Sequence, residues 1–192
     1  MKTVKEKLID ATFYEVFTNG YNASSLTKIL LRAEVKKGAM YHYFSSKKEM
    51  VLAMIEDKIE NRINNKWKVL ENTEENIVDT LIQIIKDIDN WDLSYGCPLG
   101  NLIQESMNED DEFDNILTCI LNKWEALLSK CLSKAKSLNQ INQNTEIEQS
   151  SKFIIASIEG AILLSKKSHD KSNFIMCMNQ LSFYINTLRN DI

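Results

Sequence analysis

The side chains best placed to act on another molecule lie in one short stretch, Lys36-Lys37-Gly38-Ala39-Met40-Tyr41-His42-Tyr43-Phe44. Two ammonium groups stand beside a glycine, and three rings with polar tips follow. Lysines at a helix start reach phosphates or base edges, and phenol and imidazole tips bind phosphates and bases in the same way. Gly38 costs a helix about 1 kcal/mol relative to alanine, but it lets the backbone approach a partner closely. Taken one at a time, a lysine pair is ordinary solvated surface and Tyr-x-Tyr is the rim of a core. Together, in this order, they point to DNA. Charge distribution agrees: residues 1 to 50 hold nine Lys/Arg against five Asp/Glu, while the rest of the chain holds fourteen against twenty-two. The net charge of −4 therefore conceals a basic head on an acidic body. Salt screens charges beyond about 10 Å at 0.1 M, so a local basic patch binds phosphate in spite of that body.

Other chemistries find no residues to carry them. A di-iron bundle needs Glu-x-x-His pairs, yet Ala39 and Lys166 stand three residues before His42 and His169. The sequence has no phosphate loop, dinucleotide fingerprint or nucleophile elbow. The acidic run Glu109 to Glu112 reads as the charged start of a helix. No enzyme activity, catalytic residue, metal or cofactor is expected. Cys97, Cys119, Cys131 and Cys177 have no metal-ligand spacing and are expected as reduced thiols, mostly in a core. Cys97 has a second reading. It precedes Pro98, a good first residue for a helix, and a helix start favours a reactive thiolate, so an electrophile- or redox-sensing role stands as an alternative to a packed thiol.

The elements that would position these residues are helices. Five glycines and one proline in 192 residues are too few turn-formers for a β-sandwich or barrel, and the chain is long enough to bury a sizeable core. The expectation is an all-α fold of about nine helices: a three-helix helix-turn-helix head over residues 1–46 and a larger helical ligand-binding and dimerisation domain over 47–192. Helices are predicted at about 4–18, 25–33, 36–44, 47–71, 75–92, 98–108, 112–137, 146–167 and 171–190 from apolar spacing and breaks such as Asn19-Gly20. Ser24 would cap the second, with Leu26, Ile29 and Leu30 inward, and Ala33-Glu34-Val35 would make the turn. The third would enter a major groove, with Met40 and Phe44 inward and Tyr41, His42 and Tyr43 outward. The polar run at 137–146 reads as a plain surface connector. No run approaches the roughly 18 apolar residues of a membrane span, and MKTVKEK lacks a signal peptide's apolar stretch, so a cytoplasmic protein without membrane partners is expected.

The last two helices are apolar around most of their circumference and need a second surface. Pairing with their copies would make a four-helix interface through Phe153, Ile154, Ile158, Ala161, Ile162, Leu181, Tyr184 and Leu188, with Gly160 allowing a close crossing. A monomeric bundle core is the alternative. The middle helices would enclose an effector pocket lined by Trp67, Trp91, Tyr95, Cys97, Leu99, Leu102, Ile103, Met107, Trp124, Leu127 and Leu128, with Gln104 or Glu105 as polar anchor.

The ordered string Gly20-Tyr-Asn-Ala-Ser-Ser25, Ile29, Ala33-Glu-Val35 and Lys37-Gly-Ala-Met-Tyr-His-Tyr-Phe-Ser-Ser-Lys-Lys-Glu49 resembles the DNA-binding head of the tetracycline-repressor (TetR) family. Gly96-Cys-Pro-Leu-Gly-Asn-Leu102 is similar to a segment of some members. The resemblance implies phosphate contacts by Ser24, Tyr41, Tyr43 and Lys47, and base or groove contacts by Lys37, Gly38, Ala39 and His42 with Lys28. Lys36 joins them from the residue reading alone. Where the family often has glycine in the turn, this chain has Glu34. The function implied is a homodimeric regulator, most simply a repressor of a pseudo-palindromic operator in double-stranded DNA. A small-molecule effector would release it by favouring a head spacing that no longer matches successive major grooves, roughly 34 Å apart. The competing class is a helical interaction protein that acts through protein partners.

Overall fold

The computed structural model describes residues 2–106, 111–168 and 170–190. Met107, expected in the effector pocket, and His169 lie outside the described residues. Among the described residues ten α-helical segments form: α1 (Val4–Asn19), α2 (Leu26–Ala33), α3 (Lys37–Met40), α4 (Lys47–Met54), α5 (Asn61–Asn72), α6 (Ile77–Lys86), α7 (Pro98–Ser106), α8 (Asp111–Ser137), α9 (Ile147–Ser168) and α10 (Lys171–Thr187). A π-helical turn, Ile55–Glu60, joins α4 to α5, so the described residues make nine rods, the all-α fold expected. An isolated bridge between Ile141 and Arg189 is the β pairing found among them. Among the described residues no helix is long and apolar enough to cross a membrane.

The chain divides into two compact units, Met1–Arg62 with Pro98–Ile120, and Ile63–Cys97 with Leu121–Ile192. This differs from a division after residue 46. Met50, Val51 and Met54 of α4 are buried, and α4 packs on α1, so the start of that rod belongs to the head's core.

In the first unit Thr3 and Glu6 form a capping box at the start of α1. On its apolar stripe Ile9 is buried, and the half-buried Phe13 and Phe17 stack at 5.3 Å. The carboxylate of buried Glu15 accepts from Arg32 Nε at 2.9 Å, which ties α1 to α2. Ser25, not Ser24, caps α2: its hydroxyl accepts from the Lys28 N–H at 3.1 Å, while the Ser24 hydroxyl donates to the Tyr21 carbonyl at 2.7 Å. Glu34 makes the turn in the left-handed region (φ 55°, ψ 39°), the conformation that makes glycine the usual residue at a helix C-cap. The third helix stops at Met40 rather than Phe44. After it the bonds tighten to three-residue spacing, His42 N–H to Ala39 O at 3.3 Å and Tyr43 N–H to Met40 O at 2.8 Å, which swings Phe44 into the core beside Met40.

In the second unit Trp67 meets Trp91 at 6.5 Å and Trp124 at 5.8 Å between ring centroids, and Trp91 meets Phe174 at 5.2 Å. The helix expected to reach residue 92 ends at Lys86. Asp87 leaves helical geometry (ψ 76°), and the Trp91 indole turns back to donate to the Ile84 carbonyl at 3.2 Å. The polar run after α8 does more than connect. Ile141 is fully buried, and the Gln140 side-chain oxygen accepts from the Ile77 N–H at 2.8 Å. It thus supplies the cap that left-handed Asn76 does not.

Two expectations about apolar residues need correction. Ile154, Ile158, Ala161, Ile162 and Leu181 are buried inside the chain itself, so they have no area left to give a partner copy. Tyr184 is half-buried: its hydroxyl donates to Ser150 Oγ at 3.0 Å and its ring lies against Phe153, while Leu188 is half-buried at the end of α10. Of the cysteines only Cys131 is buried; Cys97 and Cys177 are half-buried and Cys119 is exposed.

Candidate functional site

Two lysines open α3: Lys36 is its N-cap and Lys37 its first residue, and both side chains are exposed. Behind them Tyr41 and Tyr43 are 53% and 45% exposed, and His42 and Gly38 are exposed as well. A Cβ placed on Gly38 would meet nothing within 4 Å, so the backbone here is open to an approaching partner. Ala39 is half-buried, and Lys28 is exposed on α2. Of the expected contact set, Lys28, Lys36, Lys37, Gly38, Tyr41, His42 and Tyr43 are thus exposed on the helix-turn-helix, while Met40, Phe44, Ile29 and Ala33 are buried in its core.

Ser24 and Lys47 are placed differently. Ser24 is 5% exposed. The Lys47 ammonium donates to the carbonyls of Tyr21 at 2.8 Å and Ser24 at 3.1 Å and lies 4.2 Å from the centroid of the Tyr21 ring. Burial pushes its pKa down, and the nearby Glu105 carboxylate opposes that shift. Glu105, expected to anchor an effector, accepts from the backbone N–H groups of Tyr21 at 2.6 Å and Asn22 at 3.3 Å.

The expected pocket residues fall in both units. Leu99, Leu102, Ile103 and Glu105 belong to the first, and Leu99 and Leu102 are buried there. Leu102 and Glu105 border a cavity of about 10 Å³ with Phe13, Val16, Phe17 and Met54, which holds no more than a water. Trp67, Trp91, Tyr95, Cys97, Trp124, Leu127 and Leu128 belong to the second. There Trp91 and Tyr95 border a hollow of about 400 Å³ with Ser94, Ser165, Asp170 and Lys171, within the size range of small-molecule sites. Lys66 covers the Trp91 ring at 3.8 Å. The indole N–H of Trp124 and one carboxylate oxygen of Glu159 are buried without a hydrogen-bond partner among the described residues. The Cys97 thiol bonds to the Glu159 side chain. Its partner is thus a carboxyl group, whereas reactive thiolates are found beside cations.

Glu159 lies outside the expected site residues, although the sequence carries a signal: it is the one charged residue within the apolar run Phe153 to Leu164. Burial pushes its pKa above the ordinary 4.5, and the Cys97 bond opposes that shift. The folded state therefore holds this proton more tightly than the unfolded state. Its contribution to stability is present below pH 4.5 and is lost as pH rises through the raised value. Urea unfolding at a series of pH values is expected to show the unmodified protein losing stability relative to Glu159→Gln across that window; parallel curves would contradict the burial of this carboxyl.

A helix-turn-helix carrying an exposed cationic and aromatic surface, joined to a separate helical unit, defines a DNA-binding regulator. Comparison with known proteins gives the same class. Residues 8–54 match the family model for bacterial regulatory proteins of the tetR family, and residues 75–180 match the tetracyclin repressor-like C-terminal domain. The chain belongs to the TetR family of transcriptional regulators. It is 31% identical over 182 residues to an HTH-type transcriptional regulator in the lacX 3′ region of Lactococcus lactis subsp. lactis, covering 91% of each chain. It is 25% identical over 167 residues to the HTH-type transcriptional repressor DhaR of Mycobacterium sp. (strain GP1), covering 85% of this chain and 82% of that one. The crystal structure of a TetR-family regulator from Cytophaga hutchinsonii superposes with a TM-score of 0.85 at 19% identity, over 98% of this chain and 96% of that one. Regulators of this family are transcription factors rather than enzymes, and they bind DNA operators as dimers that answer to small molecules.

Proposed function

We propose that this protein represses transcription by binding a pseudo-palindromic operator as a homodimer and that a small molecule held by its second unit releases it. The observation that carries the reading is the exposure of Lys36, Lys37, Gly38, Tyr41, His42 and Tyr43 in and directly around α3, with nothing within 4 Å of where a Gly38 Cβ would stand. Lys28 is exposed on α2, and Ala39 is half-buried on α3. Ser24 and Lys47 serve the helix-turn-helix from behind, through the α1–α2 connection.

The homodimer reading rests on a face that the chain leaves uncovered. Phe153, Leu163 and Leu164 are half or more exposed on α9; the eleven-residue spacing from Phe153 to Leu164 returns to one side of a helix, and Leu163 flanks it. Gly160, on the same side, has nothing within 4 Å of where a Cβ would stand. Phe183 and Met176 of α10 are 68% and 57% exposed. An apolar face of this kind marks an interaction surface. For the effector, the unpartnered Trp124 N–H and Glu159 oxygen support a ligand carrying both an acceptor and a donor, since buried polar groups otherwise find partners. Cys97 then serves as the hydrogen-bond partner of Glu159 rather than as the sensor. As a regulator of DNA the protein works in the cytoplasm.

Selection of duplexes from a randomised library by the unmodified protein tests the reading. The expected product has two inverted half-sites, binds two chains, and loses affinity steeply with salt. Binding indifferent to sequence and salt would refute it.

A further inference from the structure

The connection between α1 and α2, residues 20–25, enters the DNA-binding surface directly, because Ser25 caps the helix that carries Lys28. Its polar groups are held from two sides. Lys47 binds its carbonyls, at Tyr21 and Ser24. Its amides point the other way, and the carboxylate of Glu105 on α7 takes those of Tyr21 and Asn22. Hydrogen bonds to an ionised acceptor are roughly twice as strong as neutral ones. Phe113 closes the connection edge-on against the Tyr21 ring at 4.9 Å. Gly20 fits this clasp on two counts. Its φ of +85° is one that side chains rarely adopt, and a Cβ there would stand 2.3 Å from Glu105 Oε1. Glu105, 84 positions beyond Tyr21, thus fills the space that the missing Gly20 Cβ leaves.

We propose that Glu105 is a positioning residue for DNA binding: by taking the Tyr21 and Asn22 amides it fixes the α1–α2 connection, and with it the placement of the start of α2 against a phosphate backbone. The inference rests on the operator-binding reading above. It places a determinant of DNA affinity outside the helix-turn-helix segment, on the helix that begins at Pro98. The carboxylate touches no DNA. Its effect passes through the two amides.

The test uses the full chain and a duplex that the unmodified protein selects from a randomised library. Glu105→Ala is expected to speed amide exchange at Tyr21 and Asn22 and to weaken duplex binding on the order of tenfold, the size of losing hydrogen bonds to a charged acceptor. Glu105→Gln keeps an acceptor oxygen and is expected to recover most of that loss. Ile141→Val, a fully buried change in the second unit, serves as the stability control: it lowers the melting temperature but leaves the two amides and the affinity unchanged. Unmodified affinity in Glu105→Ala, unchanged exchange at the two amides, a Gln variant as weak as the Ala variant, or an Ile141→Val that weakens binding equally would each overturn the positioning role. A library from which the unmodified protein selects nothing overturns the operator-binding reading as well.

Discussion

Phe183→Arg is expected to turn a two-chain particle into a one-chain particle without unfolding it. The side chain is 68% exposed in the isolated chain, so an arginine there meets water in the monomer and would meet an apolar partner face in the proposed dimer. Burying an unpaired guanidinium costs several kcal/mol, enough to dissociate most interfaces of moderate size. Light scattering should give half the unmodified mass, and the helical circular dichroism signal should persist. Affinity for the selected duplex should fall by about a hundredfold or more, because one head makes half the contacts and the second no longer binds at high effective concentration. Ile158→Glu is the instructive contrast. Ile158 is fully buried within its own protomer, so that change should unfold the second unit. A mass of one chain for the unmodified protein would remove the dimer from the proposal.

The second large effect is electrostatic. Lys36→Ala combined with Lys37→Ala removes two exposed cations from each head and four from the dimer. If each neutralises one phosphate, the plot of log affinity against log salt should become shallower by about 3 to 4, and binding at 0.1 M salt should fall by about a hundredfold or more. His42→Ala differs in kind. It should change which bases are preferred while leaving the salt slope in place, because base contacts specify and phosphate contacts position. Fluorescence anisotropy at four or five salt concentrations measures both quantities. A double variant with the unmodified slope would move the DNA surface away from α3.

Local interactions made much of this molecule legible in its sequence. Apolar spacing every three or four residues placed the rods, the glycine after Asn19 ended α1, Pro98 began α7, and Met40 with Phe44 lay inward as expected, although the helix that was to carry both ends at Met40. Each depends on contacts within a few residues, which the order of side chains fixes. The choice between Ser24 and Ser25 as cap was not legible. Both hydroxyls can cap a helix, and the Tyr21 carbonyl, placed by the fold of the connection, took the first. Periodicity also left open which side of α9 faces inward, since Ile154 and Ile158 are no more apolar than Phe153 and Leu163. Packing of α9 on α10 decided it, burying the first pair and exposing the second. Glu105 shows the limit most plainly. A glutamate between Gln104 and Ser106 carries no local mark of its partners, which lie 84 and 83 residues earlier. Its role appears only when tertiary structure brings a carboxylate to two backbone amides that lack helical partners, because the satisfaction of buried polar groups is settled across the whole chain and not within a turn of helix.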